Sequence, residues 1–396
     1  MVNSSTAGLI GVVLLARHGD RASELFQNYT TYNSTQGYLT PYGQVQEYEL
    51  GSFLRSTYLD PSSPSYIQGI NTDVVDIDQL FVRADAGGGN AILDSAYALL
   101  QGLYPPTEKA KMSLATGKSV TPPLGGYQYI PVESLEFWQA PSLTSWMDCE
   151  YFQLHLSRLN SGVVFKDTAT EAAPFLEAVT PYLGGLNNSF LNMVGIYDYL
   201  DVQYTHNKTF YNSFPDTLMA QARHFANIHE QNVFTDNVQN GVGQIAIRTL
   251  WPEIFWSLGN MTLPNNKVKM ALTEVDYKPF ISLFNVTNAT VTDPDIFGIV
   301  DYASVVALEL SKNTNNDYEV ALKFKNGTSD NEFRSLKMFG QDTLTYPELI
   351  EALDWTTINS TINWCFSCNQ TVLRGCSVFN FSNDPFLNPG TPTGYA

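Results

Sequence analysis

An α/β fold, with a central mixed, mostly parallel sheet flanked by helices and an inserted, mainly helical cap, is predicted by three features of the chain. Residues 8–16 form an apolar run through Val12, Val13, Leu14 and Leu15, the pattern of a strand buried on both faces of a sheet. The order strand, polar loop, helix then recurs, with residues 75–83 reading as a second strand and 91–103 as the helix after it. Residues 146–240 carry helical patterning without a strong strand signal, between stretches that carry both. A length of 396 residues suffices for such a core and cap.

The first strand ends on Arg17-His18-Gly19-Asp20-Arg21. Carboxyl ends of strands are where open α/β sheets bind ligands. A histidine set between two guanidiniums there suits attack by a neutral imidazole on a phosphate whose charge the arginines neutralise. Leu39-Thr40-Pro41-Tyr42-Gly43 opens a helix in which Tyr48, Leu50, Phe53 and Leu54 are spaced as one apolar face. The second strand ends on Arg83, before Gly87-Gly88-Gly89, and pairing in one parallel sheet would bring Arg83 beside Arg17 and Arg21.

Residues 129–135 read as a further strand, 243–258 as a helix returning to the core, and 268–272 as a short strand ending at Thr273-Glu274-Val275-Asp276. Pro279 suits the first turn of the helix that follows. Strand-like runs at 302–310, 318–325 and 333–339, with Asn326-Gly327 as a turn, precede a helix at 346–353. This divides the chain into a discontinuous core, 1–104 and 241–382, a cap, 105–240, and a flexible tail, 383–396, rich in Pro, Gly and Thr.

Lys and Arg number 21 against 39 Asp and Glu, for a net charge of −18, which argues against nucleic acid or an anionic membrane as partner. Twelve Asn-X-Ser/Thr acceptor sites, at Asn3, Asn28, Asn33, Asn187, Asn207, Asn260, Asn285, Asn288, Asn326, Asn359, Asn369 and Asn380, point to a secreted glycoprotein. The location expected is extracellular, or the cell surface through a segment beyond the tail. Cys149, Cys365, Cys368 and Cys376 allow two disulfides in three connectivities; Cys368–Cys376 closing the tail with Cys149–Cys365 stapling distant segments is the preferred one. The Cys365/Cys368 pair has only Cys376 nearby as a further zinc ligand, so neither metal nor cofactor is expected. No apolar run has transmembrane length.

Arg17-His18-Gly19-Asp20-Arg21 resembles the Arg-His-Gly-X-Arg signature of the histidine acid phosphatases, the acid phosphatase and phytase branch of the histidine phosphatase superfamily. Leu39–Gly43 resembles the family's Leu-Thr-X-X-Gly helix start, Val82-Arg83-Ala84-Asp85 its Arg-Ser-Thr-Asp strand end, and Asp148-Cys149 its Asn-Cys-Pro segment. Residues 196–199 with His206-Asn207 resemble a helix of the cap. The likeness spans most of residues 8–376 and is nearest to secreted fungal members labelled phosphoglycerate-mutase-like.

The resemblance implies hydrolysis of small phosphomonoesters in two steps: His18 attacks phosphorus, Arg17, Arg21 and Arg83 hold the non-bridging oxygens, and a carboxylic acid protonates the leaving alkoxide. The family's acid belongs to a His-Asp pair, which this chain lacks. Aligning the following helix on Phe280, Ile281, Leu283 and Phe284 places Thr273-Glu274 over that pair, with Thr273 in the phosphate pocket and Glu274 as first candidate for proton donor. A shift of two residues gives Asp276 instead, and both also suit helix N-terminal acids. The family's second arginine after that strand is also missing, since residues 87–90 occupy the loop. His155, His206, His224 and His229 read as structural. The reading is a secreted acid phosphatase without a metal. Alternatives are a phytase, disfavoured by the few lysines near the motifs, and a catalytically impaired glycoprotein with a binding role.

Overall fold

The computed structural model describes residues 8–22, 37–87, 90–136, 138–238 and 240–379. The principal sheet is built from β1 (Leu9–Arg17), β2 (Leu80–Asp85), β3 (Glu133–Leu135), β4 (Met270–Val275), β5 (Val305–Lys312), β6 (Tyr318–Lys325), β7 (Arg334–Leu336) and β8 (Thr343–Thr345). Its order is β7-β6-β5-β1-β4-β2-β3, with β8 on β6. The pairs β1/β4, β4/β2 and β2/β3 are parallel, while β5, β6, β7 and β8 join antiparallel. The expected mixed sheet is thus present, but β4 lies between β1 and β2, so the first two strands are not neighbours.

β1 is central and buried almost throughout, as its unbroken apolar run predicts. The first helix, α1 (Pro41–Tyr58), starts where Thr40 caps it, its side chain accepting from the Gly43 N–H, with Pro41 pre-set for the first turn. Leu50 and Leu54 are buried on it, whereas Tyr48 is exposed and does not belong to the inward face. α2 (Ala91–Leu103) keeps its predicted bounds, and so do β6 and the helix Tyr346–Leu353. The second strand is shorter than expected because residues 77–79 form a turn of 3₁₀ helix capped by Asp76. Residues 129–135 supply only the three-residue edge strand β3.

Between β3 and β4 come α3 (Glu150–Ser161), α4 (Val163–Val179), α5 (Met193–His206), α6 (Asp216–Val233) and α7 (Trp251–Thr262). Their apolar faces share one core with the α8 (Lys278–Val286) side of the sheet, through Phe175, Ile196, Phe225, Trp251, Phe280 and Phe284. The opposite sheet face packs on α1 and α2 through Val12, Leu14, Ala16, Leu50, Leu54 and Leu99. Among the described residues no helix is long and apolar enough to cross a membrane.

The disulfides are Cys149–Cys368 and Cys365–Cys376, not the pairing preferred from sequence. The reason is local. The Glu150 N–H donates to the Cys368 carbonyl (2.9 Å), which brings Cys368 to the start of α3 beside Cys149. Gly375, at φ 86°, turns the chain back so that Cys376 meets Cys365. The tail expected at 383–396 lies outside the described residues.

Candidate active site

The site forms where β1 and β4 end. The His18 N–H donates to the Val275 carbonyl (3.2 Å) and its own carbonyl accepts from Ala303 (3.3 Å), so the backbone is pinned on both sides. Beyond it, the Gly19 N–H donates to Ser95 Oγ on α2 (3.1 Å) and the Asp20 N–H to Gln46 Oε1 on α1 (2.8 Å). Only glycine allows α1 this close: a Cβ on Gly43 would stand 2.2 Å from the Asp20 carbonyl oxygen.

His18 is 3% exposed. Its Nδ1 lies 2.8 Å from the Gly19 carbonyl oxygen, which can only accept, so Nδ1 holds the proton and Nε2 keeps a free lone pair. Burial, reinforced by Arg17 and Arg21, lowers its pKa to about 3. Arg17 lies over the rings of Tyr302 (4.2 Å) and Tyr277 (5.2 Å) and donates to the Val300 carbonyl. Arg21 pairs with Asp198 on α5 (3.1 Å).

These three residues line a cavity of about 660 Å³, together with Asp85, Asp276, Lys278 and Tyr302 on the sheet side and Tyr197, Asp198, Asp201 and Arg223 on α5 and α6. The other predicted site residues are sorted by strand register. Leu15, Thr273 and Arg83 are aligned across β1, β4 and β2, and Arg17 is aligned with Val275. Arg83 therefore lies two residues, about 6.6 Å, below the level of Arg17. There it pairs with Glu133 (2.7 Å) and with Glu253 of α7, and Thr273 donates to Glu253 as well (3.1 Å). Neither residue lines the cavity.

Glu274 is also not at the cavity. It is aligned with Ala16, one residue out of step with Arg17, and strand alternation turns it to the α1 face. It is fully buried there near Glu47, and all four carboxyl oxygens of the two residues lack a hydrogen-bond partner. Burial raises both carboxyls well above their ordinary range, and their mutual repulsion adds to it at Glu47. The helix alignment that favoured Glu274 followed the apolar positions of α8 and carried no information about which face the strand residue takes.

Asp276 does line the cavity, with Lys278 on one oxygen and the Tyr277 N–H (2.5 Å) on the other. Lys278, in the first turn of α8, is a cavity cation that no sequence motif marks. Asp85, within the motif Val82-Arg83-Ala84-Asp85 but given no role from sequence, is a cavity carboxyl: it stands two residues after Arg83, on the same strand face and nearer the carboxyl end of the sheet.

Asp20 accepts from Thr40 Oγ1 and pairs with His206 Nε2 (2.8 Å), a bond that raises the His206 pKa. His229 contacts Glu230, and His155 Nε2 meets the Val233 carbonyl (3.1 Å). His224 lies edge-on to Phe225. Of the acceptor sites, Asn187, Asn207, Asn288, Asn359 and Asn369 are exposed, and Asn260 is partly buried. Asn285 accepts from Gln244 and Asp236, and Asn326 uses its amide nitrogen on Asp301, so both serve interior hydrogen bonds. Asn3, Asn28, Asn33 and Asn380 lie outside the described residues.

The chain aligns with prostatic acid phosphatase of Bos taurus at 26% identity over 272 residues, 66% of this chain and 64% of that protein. With lysosomal acid phosphatase of Rattus norvegicus the identity is 25% over 333 residues, 80% of this chain and 70% of that protein. The apo structure of Hafnia alvei phytase shares the fold with a TM-score of 0.61, at 12% identity over 90% of this chain and 98% of that one. The profile of the histidine phosphatase superfamily, branch 2, matches residues 23–324, and the chain belongs to that family.

Proposed function

We propose that the protein is a secreted acid phosphatase that hydrolyses phosphomonoesters through a phosphohistidine on His18. The observation that carries this reading is a buried imidazole with its Nε2 lone pair free, beside two arginines, in a cavity at the end of the central strand. Arg17 and Arg21 hold the non-bridging oxygens and favour the charge of the transition state. Asp276, an ionised carboxylate in the cavity, accepts a proton from the water that cleaves the phosphoenzyme. The two disulfides suit an oxidising compartment, and the exposed Asn-X-Ser/Thr sites suit secretion.

The cavity lining favours simple phosphomonoesters over a highly phosphorylated ring. Its basic residues are Arg17, Arg21, Arg223 and Lys278, against Asp20, Asp85, Asp198, Asp201, Glu230, Asp276 and Asp301. Three of the four cations are paired to carboxylates. A non-hydrolysing binding protein is the second reading, motivated by Val275 standing immediately before Asp276 in place of a histidine.

The test is rapid acid-free quenching after mixing with a ³²P-labelled aryl phosphate. An acid-labile phosphoenzyme mapping to His18 is expected, and turnover without one sinks the mechanism. Phosphate binding without turnover supports the second reading. Because the attacking imidazole stays neutral down to about pH 3, kcat/KM is expected to persist into strongly acidic medium. An acid limb near pH 6 contradicts the buried, arginine-flanked His18. Arg83→Met is expected to lower the melting temperature by several degrees, since Glu133 and Glu253 lose their partner, while KM changes less than about threefold. A KM rise of about a hundredfold would return Arg83 to the phosphate site.

A further inference from the structure

We propose that Lys278 is a positioning residue of the active site: its ammonium, enclosed by three aromatic rings, holds the Asp276 carboxyl at the cavity and steadies the carboxylate that activates water in the second step. This rests on the phosphatase reading above, in which Asp276 takes the proton of that water. Lys278 opens α8, where a cation meets the positive end of the helix dipole and gains nothing from it. What keeps it there is tertiary. Its Nζ donates to one Asp276 oxygen, while the Tyr277 N–H donates to the other (2.5 Å). The same nitrogen lies 4.4 Å from the ring centre of Tyr277, 5.4 Å from that of Trp146 and 6.0 Å from that of Phe234. Trp146 stands edge-on to Phe234 (5.8 Å), just before the Cys149–Cys368 bridge, and all three rings line the cavity with Lys278. Three separate segments thus fix a side chain that is 20% exposed.

The charged and titratable groups facing Asp276 are Arg17, His18 and Arg21 at the end of β1, Asp85 at the end of β2, and Tyr277 and Lys278 at the start of α8. Burial pushes the Asp276 carboxyl upward, but Lys278, ahead of His18 and Arg17, overcomes it and holds the carboxyl well below its usual range. His18 is uncharged above about pH 3, and Arg17 and Arg21 are taken up by the phosphate oxygens. Lys278 is therefore the cation that stays with Asp276 through the cycle.

A bound phosphate dianion adds negative charge to the cavity and raises the proton affinity of Asp276; Lys278 opposes it. In the first step the Nε2 lone pair of His18 bonds to phosphorus and the ester P–O bond breaks. Its electron pair stays on the alcohol oxygen, which takes the proton that Asp276 acquired from solvent. Lys278 then faces a full carboxylate. Water attacks phosphorus, its proton passes to Asp276, the P–N bond breaks and its pair returns to His18. Asp276 ends with the proton it began with, so the sum is ester plus water to alcohol plus phosphate.

The test follows para-nitrophenyl phosphate hydrolysis by wild type, Lys278→Met and Lys278→Arg, with a burst of nitrophenol marking the second step as rate-limiting. His18 is then already phosphorylated, and kcat reports Asp276. Wild type and Lys278→Arg are expected to keep kcat within about threefold between pH 6 and pH 3. Lys278→Met is expected to lose about tenfold or more over that interval, as Asp276 returns to the ordinary Asp value of about 3.9 or above it, with KM changed less than about tenfold. An unmoved pH profile in Lys278→Met overturns the proposal. So does a KM rise of about a hundredfold at every pH, which would make Lys278 a phosphate ligand instead. Where no burst forms, the ¹³C carboxyl resonance of Asp276 is titrated directly: ionised at pH 3 in wild type and protonated there in Lys278→Met is the expected result, and equal titrations overturn it. If Lys278→Met does not fold, wild-type protein carries the test, and an acid limb of kcat, or a carboxyl titration, at about pH 4 to 5 overturns the proposal. Failure of the phosphatase reading differs, since wild-type protein then hydrolyses the ester at no pH.

Discussion

His18→Ala is expected to lower kcat/KM for para-nitrophenyl phosphate by about 10⁴–10⁶-fold, with no phosphoenzyme formed and the fold retained. The effect is large because the proposed mechanism takes its nucleophile from His18. In that mechanism Arg17 and Arg21 bind and polarise the phosphate but cannot displace the alkoxide; His229, which also lines the cavity, is on α6 with its Nδ1 held by Glu230, away from the end of β1. The variant is also a clean probe. The ring makes one hydrogen bond, to the neighbouring Gly19 carbonyl, and lies 5.5 Å from the Tyr302 ring, so its removal leaves no buried partner charge. Arg17→Ala would not be as clean, because that guanidinium also bonds the Val300 carbonyl and lies over two tyrosine rings. A His18→Ala protein that keeps the wild-type rate, measured at pH 5 with circular dichroism as the control for folding, overturns the nucleophile assignment.

The second large effect is on stability. Glu47 and Glu274 are buried without donors, and both have folded-state pKa values raised above the unfolded ones. For such groups the folded state holds more protons than the unfolded state. Their contribution is complete below the unfolded pKa near 4.5 and is lost as pH rises above it. Each costs about 1.4 kcal/mol per pH unit while the folded form remains protonated and the unfolded form is ionised. The single Glu274→Gln variant and the double Glu47→Gln/Glu274→Gln variant remove one and both of these linkages. Relative to wild type, they are expected to gain stability progressively between pH 4.5 and 7, the double more steeply than the single. Urea unfolding at four pH values across that interval measures this, and parallel curves for the three proteins would sink it. The pair also gives the chain a physical reason to favour acidic surroundings, independent of the cavity.

The legible part of the fold was the part whose signals are local. Thr40-Pro41 marks the start of α1 because a cap side chain and a proline act within one turn. The strand Tyr318–Lys325 was legible from its apolar run and the Asn326-Gly327 turn after it, and the helix Tyr346–Leu353 keeps its expected bounds, the structure adding a capping box between Thr345 and Glu348. The site was legible only at the end of β1, where the apolar run stops and Arg17-His18-Gly19-Asp20-Arg21 begins. Asp85 and Asp276 were within the quoted motifs, yet nothing local distinguished them from Arg83 and Glu274, each two residues away on the same strand or its end.

The sequence by itself determined the α/β class, the placing of His18 and its arginines at a strand end, and the family to which the chain belongs. Those follow from runs, caps and a motif contained within a few residues. The tertiary structure alone decided that Arg83 binds Glu133 and Glu253, that Glu274 faces Glu47, that Cys149 meets Cys368, and that Asp85, Asp276 and Lys278 share the cavity. The physical reason is that a strand side chain's face and depth depend on the register with its neighbours. A displacement of one residue reverses the face, and a displacement of two moves the group about 6.6 Å along the sheet.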